Sequence, residues 1–214
     1  MKNNSIYRLF GRSKGRGKNK KISKAAIEII IKDIKKSNYN IIDIGSGYGE
    51  STIEIAKNDY KNFVIACEKY IDGINKIAQK NLENSLNNIG IYHGNVHQFL
   101  DEFCPFDSIS EIWILFPDPW PKKRHYKRRL INDSFFDKIK KYLKEGAIIH
   151  IASDSKSYIS EILKSIYLLK NDFKWTNQDK ESWDYSNLSM PKTKYYQKAI
   201  EKGYNPFYLK LKKL

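Results

Sequence analysis

The sequence predicts an α/β fold: one doubly wound, mostly parallel sheet (Rossmann-like) with an antiparallel C-terminal edge strand. Three observations predict it. Between residues 39 and 169, five short apolar runs are each followed by a helical segment, the alternation that builds parallel sheets. The first run leads into Gly45-Ser46-Gly47-Tyr48-Gly49, a turn between strand and helix. And 214 residues with 41% apolar content suit one such domain, with an extension at most.

Residues 1–24 read as a flexible basic arm, with nine Lys or Arg and no apolar period; residues 25–214 read as a single domain. Ser23 suits the N-cap of a helix reaching Lys36, with Ile27, Ile30, Ile31 and Ile34 on one face. Strands follow at 39–44 and 62–67, then 89–93, 111–116 and 147–152. The helices between and after them are expected at 50–57, 71–87, 96–103, 132–143 and 155–169. Residues 173–177 suit a further strand, and the polar, aromatic stretch 178–193 reads as a long loop. A short helix at 194–202, stopped by Gly203, precedes an alternating run at 205–211 that predicts the antiparallel edge strand.

The net charge of +15 points to a polyanionic partner. Lysine is weak evidence here, because Lys, Asn and Ile are abundant together, as in AT-rich codon usage. Arginine is better evidence. Its six positions, Arg8, Arg12, Arg16, Arg124, Arg128 and Arg129, fall only in the arm and in one loop, and guanidinium geometry suits phosphate. No apolar stretch is long enough to span a membrane, and the N-terminus lacks a signal-peptide centre. Cys67 and Cys104 have no metal-ligand spacing and fit a reducing cytoplasm. His93, His97 and His150 read as structural, so no metal site is expected.

In an open α/β sheet, ligands bind beyond the carboxyl ends of the strands. Those ends carry Gly45 to Gly49, Glu68, Asn95, Asp118 and Asp154. Glu68 comes 19 residues after Gly49, where an acid can hold both ribose hydroxyls. Asp43 precedes the glycines inside a strand, where a carboxylate is costly unless paired. A cationic ligand such as S-adenosylmethionine justifies it; a structural acid bonding loop amides is the alternative. Asn95 suits an adenine edge or a plain turn. Asp154, at the end of the fifth strand, suits the cap of the next helix.

The densest stretch runs from Ile112 to Arg129. An apolar strand meets Pro117-Asp118-Pro119-Trp120-Pro121, which neither a helix nor a central strand can continue through. Six cations follow from Lys122 to Arg129. By composition this is a proline-rich turn before a solvated basic segment, or a grip on a base and its phosphates. Trp120 suits stacking on a base or packing beneath the loop.

Together, Ile41-Ile42-Asp43-Ile44-Gly45-Ser46-Gly47-Tyr48-Gly49-Glu50, Glu68, and the block from Phe116 to Leu130 resemble the bacterial tRNA (guanine-N7-)-methyltransferases, over about residues 10–212. The resemblance implies a class I methyltransferase fold, S-adenosyl-L-methionine as cofactor, and guanine 46 of the tRNA variable loop as substrate. It implies cofactor contacts at Asp43, Gly45, Gly47, Glu68, Asn95 and Asp118, with Asp118 also catalytic. It implies RNA or guanosine contacts at Lys122, Arg124, His125, Tyr126, Lys127, Arg128, Arg129, Asp154, Thr193, Lys194, Tyr195 and Tyr196. The expected setting is the cytoplasm, with tRNA as partner, no membrane, no obligatory protein partner, and a monomer or homodimer. Two positions depart from the family. Its usual Thr-Lys-Phe-Glu reads Thr193-Lys194-Tyr195-Tyr196 here, which removes a carboxylate, and Asn95 stands where Asp is common.

Overall fold

A computed structural model describes residues 21–30, 40–188 and 190–214. The basic arm, up to residue 20, lies outside them. Seven strands form one sheet in the order β3-β2-β1-β4-β5-β7-β6. They are β1 (Asn40–Ile44), β2 (Phe63–Glu68), β3 (Ile89–His93), β4 (Ile109–Leu115), β5 (Leu143–Ser153), β6 (Phe173–Trp175) and β7 (Phe207–Lys213). The pairs joining β1 to β5 are parallel. The chain winds outward from β1 through β2 to β3, then restarts at β4 on the other side. This reversal opens a crevice at the strand ends.

Both faces of the central strands are covered, which is why β1 is buried at every residue and has no polar alternation. Successive side chains serve opposite layers. Ile42 and Ile44 join Ile112 and Ile114 beneath α4 (Val96–Phe103), α5 (Asp133–Ile139) and α6 (Lys156–Leu168). Ile41 faces the other layer, with α1 (Lys24–Ile29), α2 (Glu50–Asn58) and α3 (Ile71–Glu83). A third cluster of Leu115, Ala152, Tyr185 and Tyr208 lies under the C-terminal segment, which adds α7 (Lys180–Trp183) and α8 (Lys194–Glu201).

The structure revises four expectations. The first helix ends at Ile29, because Ile30 is extended and forms a parallel bridge with Ile91; residues 31–39, including Ile31 and Ile34, lie outside the described residues. Its buried residue is Ala26, whereas Ile27 is 52% exposed. The helix expected to reach residue 143 stops at Ile139, and Leu143 already opens β5. The presumed loop at 178–193 contains α7 and a 3-10 turn at Tyr185–Asn187. The C-terminal antiparallel strand exists but is not outermost: β7 pairs with both β5 and β6, so three-residue β6 forms the edge.

Candidate active site

A cleft of about 900 Å³ opens at the carboxyl ends of β1 to β4. Its floor is the turn after β1. Gly47 has φ +57, left-handed backbone that favours glycine, and α3 packs so tightly beneath that a Cβ at Gly73 would lie 2.2 Å from the Gly47 carbonyl oxygen. Above Gly45, no described atom lies within 4 Å of where a side chain would begin. The turn is therefore braced from below and open above, a cradle for a close-lying ligand.

Glu68 braces it from the side. Its Oε2 accepts from the Gly47 N–H at 2.8 Å, and Oε1 accepts from the N–H groups of Lys69 and Tyr70 at 2.7 and 2.9 Å. One carboxylate thus ties the turn after β1 to the turn after β2, while lining the cleft. Asn95 lines it too, and its Oδ1 caps α4 by accepting from the His97 N–H at 2.9 Å. Asp43 is elsewhere: it does not line the cleft and is 1% exposed beneath the turn. Its Oδ2 accepts from the hydroxyls of Ser51 and Thr52, each at 2.6 Å. Burial raises its pKa from 3.8 to about 6, against the lowering effect of those two hydroxyls.

Asp118 faces this floor from the opposite wall. Phe116 and Trp120, two residues to either side, have φ +54 and +42, unusual and strained for residues with side chains. The Phe116 N–H donates to the Ala152 carbonyl at 2.8 Å, so the loop leaves β4 anchored on β5. Across the cleft, burial lowers the Lys69 pKa, with Asp118 and then Glu68 opposing. Burial raises that of Tyr195, with Asp118 and Glu68 adding to it. Asp118, Glu68, Lys69 and Tyr195 therefore share one electrostatic environment.

The basic run forms a 3-10 turn, Lys123–Arg128. Lys122, Lys123, Arg124 and Lys127 are exposed. Arg128 lines the cleft with its Cζ 4.9 Å from the Trp120 ring centroid, and His125 meets the same indole edge-on at 5.8 Å. Trp120 thus both packs in the loop and lines the cleft. Arg129, implied as an RNA contact, lines the cleft but is committed to the protein. It is 3% exposed, and its guanidinium is engaged by Pro119, Ser157 and Glu161 between the rings of Tyr126 and Tyr158. Tyr126 gives one ring face to that cation, at 3.6 Å.

The C-terminal quartet is divided. Lys194 and Tyr195 line the cleft, whereas Thr193 is buried and caps α8 by accepting from the Tyr196 N–H at 3.2 Å. Tyr196 packs its ring on Tyr185 at 5.2 Å, beside the Leu115 cluster. At the position where the resemblance implies a carboxylate, this chain has a packing ring. Asp154, half-buried at the end of β5, does not line the cleft, and Ser155 occupies the α6 N-cap. Reasoning from sequence missed Tyr48, Lys69, Tyr70 and Lys198 as cleft residues. Lys198 was findable: it lies one helical turn after Lys194.

A family model described as "Putative methyltransferase" matches residues 37–209. The chain is 31% identical over 168 residues to the tRNA (guanine-N(7)-)-methyltransferase of Ruegeria sp. (strain TM1040), covering 78% of this chain and 65% of that protein, a little under two thirds. It is 31% identical over 173 residues to that of Ruegeria pomeroyi, covering 81% and 72%. Among solved structures, an rRNA methylase from Streptococcus thermophilus superposes with a TM-score of 0.54 at 18% identity, over 89% of this chain and 92% of that one.

Proposed function

The chain belongs to this methyltransferase family, and from that premise we propose that it transfers a methyl group from S-adenosylmethionine to guanine N7 in tRNA, at position 46 of the variable loop. The observation that carries the reading is one cleft in which an open glycine turn and Glu68 face Asp118, with exposed cations along the rim. The residues fit the cofactor: Gly45 leaves room for close approach, and Glu68 and Asn95 stand at the ends of the second and third strands. When bound, S-adenosylmethionine supplies an electrophilic methyl group on its sulfonium.

Glu68 retains acceptor capacity for ribose hydroxyls, because each carboxylate oxygen accepts more than one bond. Guanine N7 presents an in-plane lone pair and no proton, so the chain need supply no base. Its task is alignment and electrostatics. As the base gains positive charge, Asp118 stabilises it, and the proline-bound, strained loop limits the reorganisation that would cost. Lys122, Arg124, Lys127 and Arg128 meet phosphates, which gives affinity without reading sequence. Tyr195 and Trp120 offer ring faces to an unstacked base. With Tyr196 withdrawn into packing, the guanine edge is read by other groups. The substrate places the work in the cytoplasm; among the described residues no helix is long and apolar enough to cross a membrane.

The test is transfer of labelled methyl groups to bulk tRNA, followed by aniline cleavage at N7-methylguanosine. Cleavage in the variable loop is expected. Label incorporated without aniline-sensitive sites would refute the choice of N7.

A further inference from the structure

Proline fixes φ but leaves ψ free. In Pro117-Asp118-Pro119-Trp120-Pro121 the prolines therefore do not set the plane of the peptide after Pro119. That peptide leads directly into Trp120, held at φ +42. Something outside the loop must hold it, because a strained conformation persists only where its surroundings over-determine it.

Arg129 is placed to do this. Its Nε donates to the Pro119 carbonyl at 2.8 Å. The other end of the guanidinium is fixed on α6: Nη1 donates to the Ser157 carbonyl at 3.3 Å and to Glu161 Oε2 at 2.6 Å, and Nη2 donates to Ser157 Oγ at 2.9 Å. Tyr126 and Tyr158 flank its cation, with ring centroids 3.6 and 4.8 Å from Cζ. Its own backbone is tied down too, since its N–H donates to the Tyr126 carbonyl at 2.9 Å and its carbonyl accepts from Asn132 Nδ2 at 3.1 Å. Three targets in three directions need a planar fork, which a lysine ammonium cannot reproduce.

We propose that Arg129 is a positioning residue for methyl transfer: it latches the Asp118 loop onto α6 through Pro119, Ser157 and Glu161, and makes no phosphate contact. The latch explains why a cation in the basic run is almost fully buried. It also separates neighbours of identical chemistry: both line the cleft, but Arg128 is half-buried against Trp120, whereas Arg129 is 3% exposed with its guanidinium engaged by Pro119, Ser157 and Glu161. This role rests on the reading that Asp118 serves the transfer.

The test uses Arg129→Lys and Glu161→Ala in the full chain. Arg129→Lys keeps the charge and removes the fork; Glu161 lies outside the cleft. Three quantities are measured: single-turnover methylation at saturating S-adenosylmethionine and tRNA, the salt dependence of tRNA affinity, and hydrogen exchange of the peptide spanning residues 116–131. Arg129→Lys is expected to slow single turnover at least tenfold and to speed exchange in that peptide, with the tRNA dissociation constant within twofold of wild type and the salt slope unchanged. Glu161→Ala is expected to shift rate and exchange the same way, by about threefold. Wild-type rate and exchange in Arg129→Lys would overturn the latch, as would a reduced salt slope with unchanged exchange. If Arg129→Lys does not fold, Glu161→Ala decides alone, and wild-type rate and exchange there overturn the latch. Failure of the wild-type protein to methylate tRNA would instead defeat the proposed function, while the exchange measurements still judge the latch.

Discussion

Replacing Asp43 by Asn would expose what its buried charge does. At 1% exposure and with two hydroxyls on one oxygen, this carboxyl binds its proton more tightly in the folded chain than in the unfolded one: pKa about 6 against 3.8. The difference corresponds to about 3 kcal/mol. A raised folded-state pKa contributes stability that is fully present below the unfolded value and is lost as pH rises through the folded value. Wild-type stability should therefore fall by up to about 3 kcal/mol from this group between pH 4 and 6. The Asn variant cannot titrate, so its stability should run flatter across that window by the same amount. At neutral pH the comparison is less direct, because the buried amide of Asn needs acceptors worth about 1–3 kcal/mol if unmet. The pH slope, not the absolute stability, is the diagnostic. Urea unfolding of both proteins at pH 4, 5, 6 and 7 measures it. Parallel curves would refute the reasoning. If the charge is retained for a cationic cofactor, S-adenosylmethionine affinity of the wild type should also rise as pH climbs through about 6, and the variant should lose that rise.

Glu68→Ala removes one carboxylate from three backbone N–H groups and from the cleft, and should weaken S-adenosylmethionine by at least about tenfold, or 1.4 kcal/mol, in titration calorimetry. Asp118→Asn should lower kcat by about 10² with tRNA affinity nearly unchanged, the scale expected for one preorganised electrostatic group; a wild-type single-turnover rate would leave Asp118 as a loop brace. Replacing Arg124 and Arg128 by Ala should flatten the salt dependence of tRNA binding by about 0.7–0.9 per lost phosphate contact, while cofactor affinity holds.

Much of the fold was legible because local and tertiary preferences agree. Residues 89–93 and 96–103 fall where periodicity places them, since an apolar strand and a capped amphipathic helix are bounded there by glycine and Asn95. The cleft was legible through strand ends, which the alternation of elements brings to one side of the sheet. What failed depends on distant partners. The end of α1 is decided by the bridge from Ile30 to Ile91, and the inner position of β7 by strands it meets only after folding. Arg129 reads like its neighbours in sequence, and only Ser157 and Glu161, 28 and 32 residues on, set it apart. Tyr196 was recognised as a departure, but its packing on Tyr185 required the structure.

The inner position of β7 also dictates an order of assembly. The ribosome makes β5 and β6 first, yet they do not pair with each other. Each waits for residues 207–213, which emerge about thirty residues after β6 ends. Until then the nascent chain carries the open edge of β5, with its unpaired backbone groups, and the cluster around Leu115 and Tyr185 lacks Tyr208. The vulnerable interval is thus the one between synthesis of β5 and synthesis of β7, when an unfinished sheet edge can recruit another chain. A ribosome stalled just before Phe207 would leave every residue lining the cleft encoded but the sheet unclosed.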